Sequence, residues 1–80
     1  MPQYFFHIIH SNRAPSRDDV GLMFATDGAA KREGMLCLGE MIKEGISSEF
    51  MPFRVSVQIV REDVGIIDLL TGHLSARAQP

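Results

Sequence analysis

Residues 26–46, TDGAAKREGMLCLGEMIKEGI, form the stretch that decides the fold, because it is long and periodic enough for a helix that covers a sheet. At about 100° per residue, its apolar side chains fill one half of the helical wheel and its charged side chains share the other. The apolar half contains Ala30, Gly34, Met35, Cys37, Leu38, Met41, Ile42 and Ile46, and the polar half contains Arg32, Glu33, Glu40, Lys43 and Glu44. This pattern predicts a helix with one face on the core.

Side-chain chemistry predicts where this helix begins and ends. The hydroxyl of Thr26 can accept a hydrogen bond from the free amides of the first turn, and Asp27 places a negative charge at the positive end of the helix dipole. Gly45 can adopt the left-handed conformation that terminates helices. We therefore expect regular helix to end near Glu44.

Residues 4–9 form an almost unbroken run of aromatic and branched side chains, which is typical of a strand. Alternation places Tyr4, Phe6 and Ile8 on one side of the strand and Phe5, His7 and Ile9 on the other. Both sides are mainly apolar. This indicates a central strand with neighbours on both edges.

Three further strands are predicted from alternation and turn residues. Residues 20–24 form a short strand beside the first, and residues 53–59 alternate apolar and polar side chains in the clearest pattern of the chain. Residues 62–65 form a tight turn in which Gly65 supplies a positive φ, and residues 66–70 return as the last strand.

The element order ββαββ predicts an α+β fold, with one mainly antiparallel four-stranded sheet and the helix on one of its faces. A right-handed crossover from the second strand to the third leaves the first strand in the middle, with strand order 2-1-3-4. We expect residues 1–70 to form one small domain and residues 71–80 to fray as a polar tail.

Length and composition exclude several classes of function. The chain has 80 residues and a formal net charge of −2, which argues against binding nucleic acid through its phosphates. It contains neither an apolar run of membrane-spanning length nor a secretory leader pattern, so no membrane partner is expected. Cys37 is the single cysteine and cannot form an internal disulfide, which fits a reducing, cytoplasmic location.

The opening MPQYFFHI, an Asp-x-x-Gly turn at residues 18–21 and an acidic turn closing on Gly65 resemble a family of short bacterial proteins, chiefly alphaproteobacterial, that is classified as a domain of unknown function. The pair Ala29 and Ala30, followed by Glu33, fits the helix of that family. The resemblance covers about residues 1–70. It implies the α+β fold, and it implies no activity, cofactor or catalytic residue.

The chemically active side chains do not form a recognisable site. His7 and His10 are three residues apart in a strand and point to opposite faces, while His73 and Cys37 add no convincing ligand set, so no metal is expected. The acidic pairs, Asp18 with Asp19 and Glu62 with Asp63, lie in turns, where such residues bind their own backbone. We therefore predict no catalytic residue and no cofactor.

Two hypotheses remain, and the favoured one is a non-enzymatic protein-interaction module that self-associates as a homodimer. A single helix covers one sheet face, which leaves a second face on which the apolar side chains of the first strand need cover. The predicted interface consists of Phe5, His7 and Ile9, rimmed by Arg54, Ser56 and Gln58. A different protein is another possible partner, and Leu74 of the tail is another possible cover.

The alternative hypothesis is a small enzyme or ligand-binding protein that uses His7 with a nearby carboxylate.

Overall fold

Two strands, one helix and two further strands follow one another along the chain. The computed structural model describes residues 1–48 and 52–75. The elements are β1 (Gln3–His10), β2 (Leu22–Met23), α1 (Asp27–Ser48), β3 (Phe53–Arg61) and β4 (Gly65–Leu74). The sheet order is β2-β1-β3-β4, every neighbouring pair is antiparallel, and α1 packs on β3 and β4. The predicted α+β fold and its strand order are confirmed.

The start of α1 follows the predicted cap, but its end does not. Thr26 Oγ1 accepts a hydrogen bond from the amide of Ala29 at 3.1 Å. The helix continues through Ser48, and Gly45 does not take a positive φ, so the predicted stop near Glu44 is wrong. Gly45 is instead buried against the ring of Phe53, where a Cβ would lie 2.7 Å from Cε2. Its missing side chain lets α1 approach β3 closely.

The buried face of α1 is narrower than the predicted apolar half of the wheel. Ala30, Gly34 and Gly45 are buried in a line along the helix. Met35 and Ile46 are 59% and 60% exposed, so their predicted core positions are wrong. Each lies about 100° around the helix from a buried glycine, on the flank of the contact line. A Cβ at Gly34 would lie 2.6 Å from Cδ1 of Ile59, so the helix approaches the sheet closely there as it does at Gly45. These two close contacts, rather than the mean direction of the apolar side chains, set which face of α1 turns inward.

The core is built mainly by the sheet. The buried apolar side chains of the sheet are Tyr4, Ile8, Phe53, Val55, Val57 and Ile59. The alternate residues of β3 predicted to face inward are thus all buried, because an inner strand with one helix-covered face buries every second side chain. Partly buried side chains of α1, including Leu38, Met41 and Ile42, pack against this set.

The second strand is shorter than predicted. β2 contains only Leu22 and Met23, which pair with Tyr4 and Gln3 of β1 as expected from the predicted order. Val20 is 80% exposed and lies outside the strand. Gly21, with φ of +75°, interrupts the extended backbone between them.

The closing hairpin has the predicted glycine but a longer last strand. Gly65 has φ of +104°, and the pairs Ile59–Asp68 and Val60–Ile66 leave Ile67 as an extra, bulged residue. β4 continues to Leu74, so the prediction that residues 71–74 fray is wrong. Gly72 allows β4 to continue under α1, because its Cα lies under the Ile42 side chain and a larger residue would not fit there. Residues 76–80 of the predicted tail lie outside the described residues.

The backbone at Gly65 supports a first prediction. Replacing Gly65 by valine should lower the free energy of unfolding by about 1–2 kcal/mol, because a branched side chain opposes the positive φ. A Cβ there would meet no atom within 4 Å, so crowding does not contribute. Thermal unfolding measures the effect, with Val64→Ala in the same turn as the control. Equal melting temperatures for Gly65→Val and the parent chain would contradict the positive φ.

Candidate functional site

The sheet face opposite α1, called the open face below, is the candidate functional surface. Its residues come from β1 (Phe5, His7, Ile9), β3 (Arg54, Ser56, Gln58, Val60) and β4 (Ile66, Leu69, Thr71, His73). Register places Val60 between Phe5 and Ile66 in one row across the sheet, and Gln58 between His7 and Leu69 in the next. All six residues predicted to form the interface lie on this face.

Polar residues occupy the middle of the open face, which corrects the prediction that they form its rim. Because β3 lies between β1 and β4, its outward side chains have neighbours on both sides. Ser56 is only 9% exposed, and its Oγ lies 2.9 Å from Oγ1 of Thr71 in a hydrogen bond. Gln58 is the next outward residue along β3. The face therefore has a polar centre with apolar flanks on β1 and β4.

Leu74 does not cover the open face. It pairs with Phe53 in the sheet and packs with the core on the side of α1. The alternative in which the tail folds back through Leu74 is therefore wrong.

The connection between β1 and β2 shields one edge of this surface. Ser16 forms a bridge to Ile8, with backbone hydrogen bonds of 2.9 and 2.8 Å. Two residues later, the Asp18 carboxylate accepts hydrogen bonds from the amides of Phe6, Val20 and Gly21, each at 3.0 Å. The Asp18 side chain thus replaces a neighbouring strand at the edge of β1.

Electrostatics favour the ionised form of this carboxylate. Burial acts to raise the pKa of Asp18, but the hydrogen bonds from Gly21, Phe6 and Val20 outweigh burial, and the pKa is lowered. Gly21 completes the arrangement, since a Cβ there would lie 2.8 Å from the carbonyl oxygen of Tyr4. The Asp-x-x-Gly turn therefore has a structural role: it seals β1 and lets the chain turn into β2.

His7 lies at the centre of the β1 side of the open face. Its Nδ1 accepts a hydrogen bond from the amide of Asp18 at 3.0 Å, and its ring stacks on Phe5 with centroids 6.5 Å apart. Because Nδ1 accepts this bond, the ring carries its proton on Nε2. His7 is therefore held in one orientation, with Nε2 as a hydrogen-bond donor.

Two adjoining grooves share His7 and Arg17 in their walls. One has a volume of about 480 Å³ and is lined by His7, Ile8, Ile9, Pro15, Ser16, Arg17 and Gln58. The other, of about 390 Å³, is lined by Phe5, His7, Arg17, Asp18, Asp19, Val60 and Glu62. Arg17 Nε lies 3.2 Å from Asp19 Oδ1, but both side chains are largely exposed, so this ion pair contributes little stability.

The groove offers binding groups more readily than catalytic ones. Asp18 binds His7 through its backbone amide, and both oxygens of its carboxylate already accept hydrogen bonds from other backbone amides. An acid–base pair would need one of those oxygens free. Within residues 1–48 and 52–75, no three His, Cys, Asp or Glu side chains are grouped closely enough to hold a metal ion.

A second polar cluster, not found from the sequence, joins α1 to the sheet. The Tyr4 hydroxyl donates to Asp27 Oδ1 at 2.6 Å, and Arg61 Nη1 donates to the same oxygen at 3.3 Å. Arg61 also pairs with Asp63, with Nε 2.7 Å from Oδ1. The bond to Asp27 raises the pKa of Tyr4, and the bond from Tyr4 lowers the pKa of Asp27. The only sequence signal was Asp27 in the first helical turn, and the cluster positions α1 rather than a ligand.

The remaining sequence candidates do not add a reactive group. Burial raises the pKa of the Cys37 thiol, and the negative charge of Glu40 raises it further, so the nucleophilic thiolate is disfavoured. In the part of the chain that the structure describes, no helix has both the length and the apolar character needed to cross a membrane.

Comparison with known proteins identifies the family. The family model of a domain of unknown function, DUF6894, matches residues 3–68. The chain belongs to this family. The DUF6894 match covers β1, β2, α1, β3 and β4 as far as Asp68, and it confirms the family resemblance seen in the sequence. No curated protein and no solved structure gives a significant match. Membership in DUF6894 therefore assigns no activity, and a function must be argued from the surface itself.

Proposed function

We propose that this DUF6894 protein is a non-enzymatic interaction module that self-associates through its open face. The observation that carries the proposal is the apolar surface left on a sheet with one covered side. Ile9, Ile66 and Leu69 are 41%, 62% and 53% exposed, and Phe5 and Val60 are half-buried beside them. Fully burying an aliphatic side chain of this size contributes about 1.5–3 kcal/mol, a large fraction of the stability of an 80-residue domain.

A second copy of the chain fits the pattern of this face. A two-fold axis parallel to β3 would place the β1 flank of one copy over the β4 flank of the other. Phe5 would then lie over Ile66 and His7 over Leu69, while the polar side chains of the two β3 strands face each other. The side-chain amide of Gln58 is both donor and acceptor, so it can pair with its own symmetry mate. Packing of two sheets face to face is a common way to close such a layer.

The proposal places the assembly in the cytoplasm. This location is supported by the single cysteine, Cys37, which is free and partly buried and therefore suits a reducing compartment.

Sedimentation equilibrium of the parent chain and of Phe5→Glu tests the open-face contact. We expect the parent to contain at least two chains at tens of micromolar, and the variant to have half the parental mass, because a charge would be buried at the β1 flank. Val20→Glu is the matched control, since Val20 is 80% exposed and lies off this face. A monomeric parent, or a folded Phe5→Glu chain with unchanged mass, would contradict the proposal.

The fixed orientation of His7 supports a second candidate, a small-ligand site in the groove of about 480 Å³. Its Nε2 proton and the Arg17 guanidinium suit a carboxylate or carbonyl group. The engaged oxygens of Asp18 favour binding over catalysis in this candidate. Titration with acetate, followed by the ring resonances of His7 in NMR spectra, tests it. Unmoved resonances in tens of millimolar acetate would argue against a site for such groups.

A further inference from the structure

β4 is the edge of the sheet on the side away from β1, and it is long. The strand spans Gly65–Leu74, ten residues, and among the described residues it pairs with β3 alone. A strand at an edge presents unpaired backbone N–H and C=O groups on its outer side. The residues that present them can be identified from the hydrogen bonds of the next strand.

The bonds of Arg54 fix which residues of β4 face outward. Its amide donates to Ser11 Oγ and its carbonyl accepts from the Ser11 amide, both at 2.9 Å, so its polar groups point away from β4. Backbone groups alternate in direction along an antiparallel strand, so those of Val55 and Val57 point toward β4. Their partners Gly72 and Leu70 point back toward β3. It follows that Leu69, Thr71 and His73 direct their backbone groups outward.

One of these three outward amides is satisfied within the chain. Asp68 Oδ1 accepts the hydrogen bond of the Leu69 amide at 2.8 Å. The β1 edge is treated differently, because Ser16 and Asp18 bind its outward amides at Ile8 and Phe6. From Asp68 to the end of β4, the sequence DLLTGHL contains neither the proline nor the lysine that commonly protects an edge.

The flank of α1 above this edge is apolar as well. Lys31 Nζ lies 3.8 Å from Asp68 Oδ2, and the side chains of Leu38 and Ile42 lie over Gly72, so these three residues mark the β4 side of the helix. Met35 and Ile46 continue the same line at spacings of three and four residues. They are 59% and 60% exposed. Two large apolar side chains thus overhang the unpaired edge.

We propose that two copies of the chain pair β4 with β4, antiparallel, about a two-fold axis at Thr71. This register sets Thr71 opposite its own mate and Leu69 opposite His73, so that the backbone groups of Thr71, the His73 amide and the Leu69 carbonyl bond at once. The axis is normal to the sheet and keeps both helices on one side. With strands about 4.8 Å apart and α1 lying over β3 and β4, the helix axes come about 10 Å apart, a normal packing distance.

The helix contact explains why the occupant is a second copy rather than an unrelated strand. Gly72, next to the axis, lies under Leu38 and Ile42, so the antiparallel helices cross near the middle of α1. Met35 of one copy then approaches Ile46 of the other. A single register therefore pairs the edge and buries both exposed side chains.

Adjacent helix residues provide the matched test. Met35→Glu should halve the mass measured by sedimentation equilibrium, because it places a charge between the two helices. Leu36→Glu should leave the mass unchanged, since Leu36 is 60% exposed on the outer side of α1. The edge is tested separately by His73→Pro, which removes an outward N–H and should also halve the mass, with His73→Ala as its control. An unchanged mass in folded Met35→Glu and His73→Pro would overturn the proposal.

Hydrogen exchange of the parent chain gives a readout that needs no variant. The amides of Thr71 and His73 should exchange at least about 100-fold more slowly than in an unfolded chain if the edges pair. Exchange at the unfolded rate would overturn the edge contact. The open-face contact is tested independently of the β4 edge, because Phe5→Glu changes only the open face. If both contacts form, the parent assembles beyond two chains, because the two axes do not intersect and the assembly does not close, and either single variant stops at two chains.

Discussion

Replacing Asp18 by alanine should lower the free energy of unfolding by about 2–4 kcal/mol and the melting temperature by more than about 10 °C. The carboxylate binds three amides, and those of Phe6 and Gly21 are partly buried. Each buried N–H left without an acceptor costs about 1–3 kcal/mol. The change also frees the connection between β1 and β2 from the edge of β1, so the loss is larger than for an ordinary turn residue.

Asp19 gives a control at the neighbouring position. Its side chain is 78% exposed and forms an ion pair with the exposed Arg17. Because such surface pairs contribute little, Asp19→Ala should change the free energy of unfolding by no more than about 0.5 kcal/mol. Chemical unfolding of both variants at one protein concentration gives the comparison. Equal losses for the two substitutions would show that the Asp18 carboxylate does not hold the connection.

The pH dependence follows from the direction of the same pKa shift. The folded pKa of Asp18 lies below its ordinary value of 3.8, so its contribution is present in full above that value. It is lost as the pH falls through the lowered, folded pKa. Asp27 shifts in the same direction and adds to this acid sensitivity. The Asp18→Ala variant should therefore lose less stability than the parent between pH 5 and strongly acidic conditions.

The features of the fold that could be predicted are those that follow from the local periodicity of the sequence. The alternation in β3 identifies its buried side chains correctly, because every second residue of an inner strand faces the helix. The apolar run of β1 likewise gives its central place. The end of α1 could not be predicted in this way. A glycine near the end of a helical pattern usually terminates the helix, but Gly45 continues it, because the missing side chain lets α1 pack against Phe53 of β3.

The candidate site was likewise predictable only where local alternation determines it. Alternation alone places Phe5, His7 and Ile9 on the open face. The hydrogen bonds of Asp18 to Phe6 and to His7 join residues more than ten positions apart, so no local sequence pattern predicts them. Asp18 was predicted to satisfy its own turn, which it does at Val20 and Gly21, but its wider role at the edge of β1 needed the structure.

Two glycines of α1 should respond in opposite directions to the same substitution. Gly39→Ala should stabilise the chain by about 0.5–1 kcal/mol, because alanine is the better helix former and a Cβ there meets no atom within 4 Å. Gly45→Ala should destabilise it by about 1–3 kcal/mol despite the same gain in helix propensity. The added Cβ would overlap the ring of Phe53, which is only 3% exposed and has little room to move.

A double substitution separates crowding from any other effect at Gly45. Phe53→Leu alone leaves a cavity and should be destabilising, but in combination with Gly45→Ala the new methyl group occupies part of the space that the ring leaves. The two losses should therefore sum to more than the loss in the double variant, by at least about 0.5 kcal/mol. Strict additivity in chemical unfolding experiments would mean that α1 and β3 do not meet at Gly45 as closely as the structure shows, and that the extension of α1 beyond the predicted stop at Glu44 has another cause.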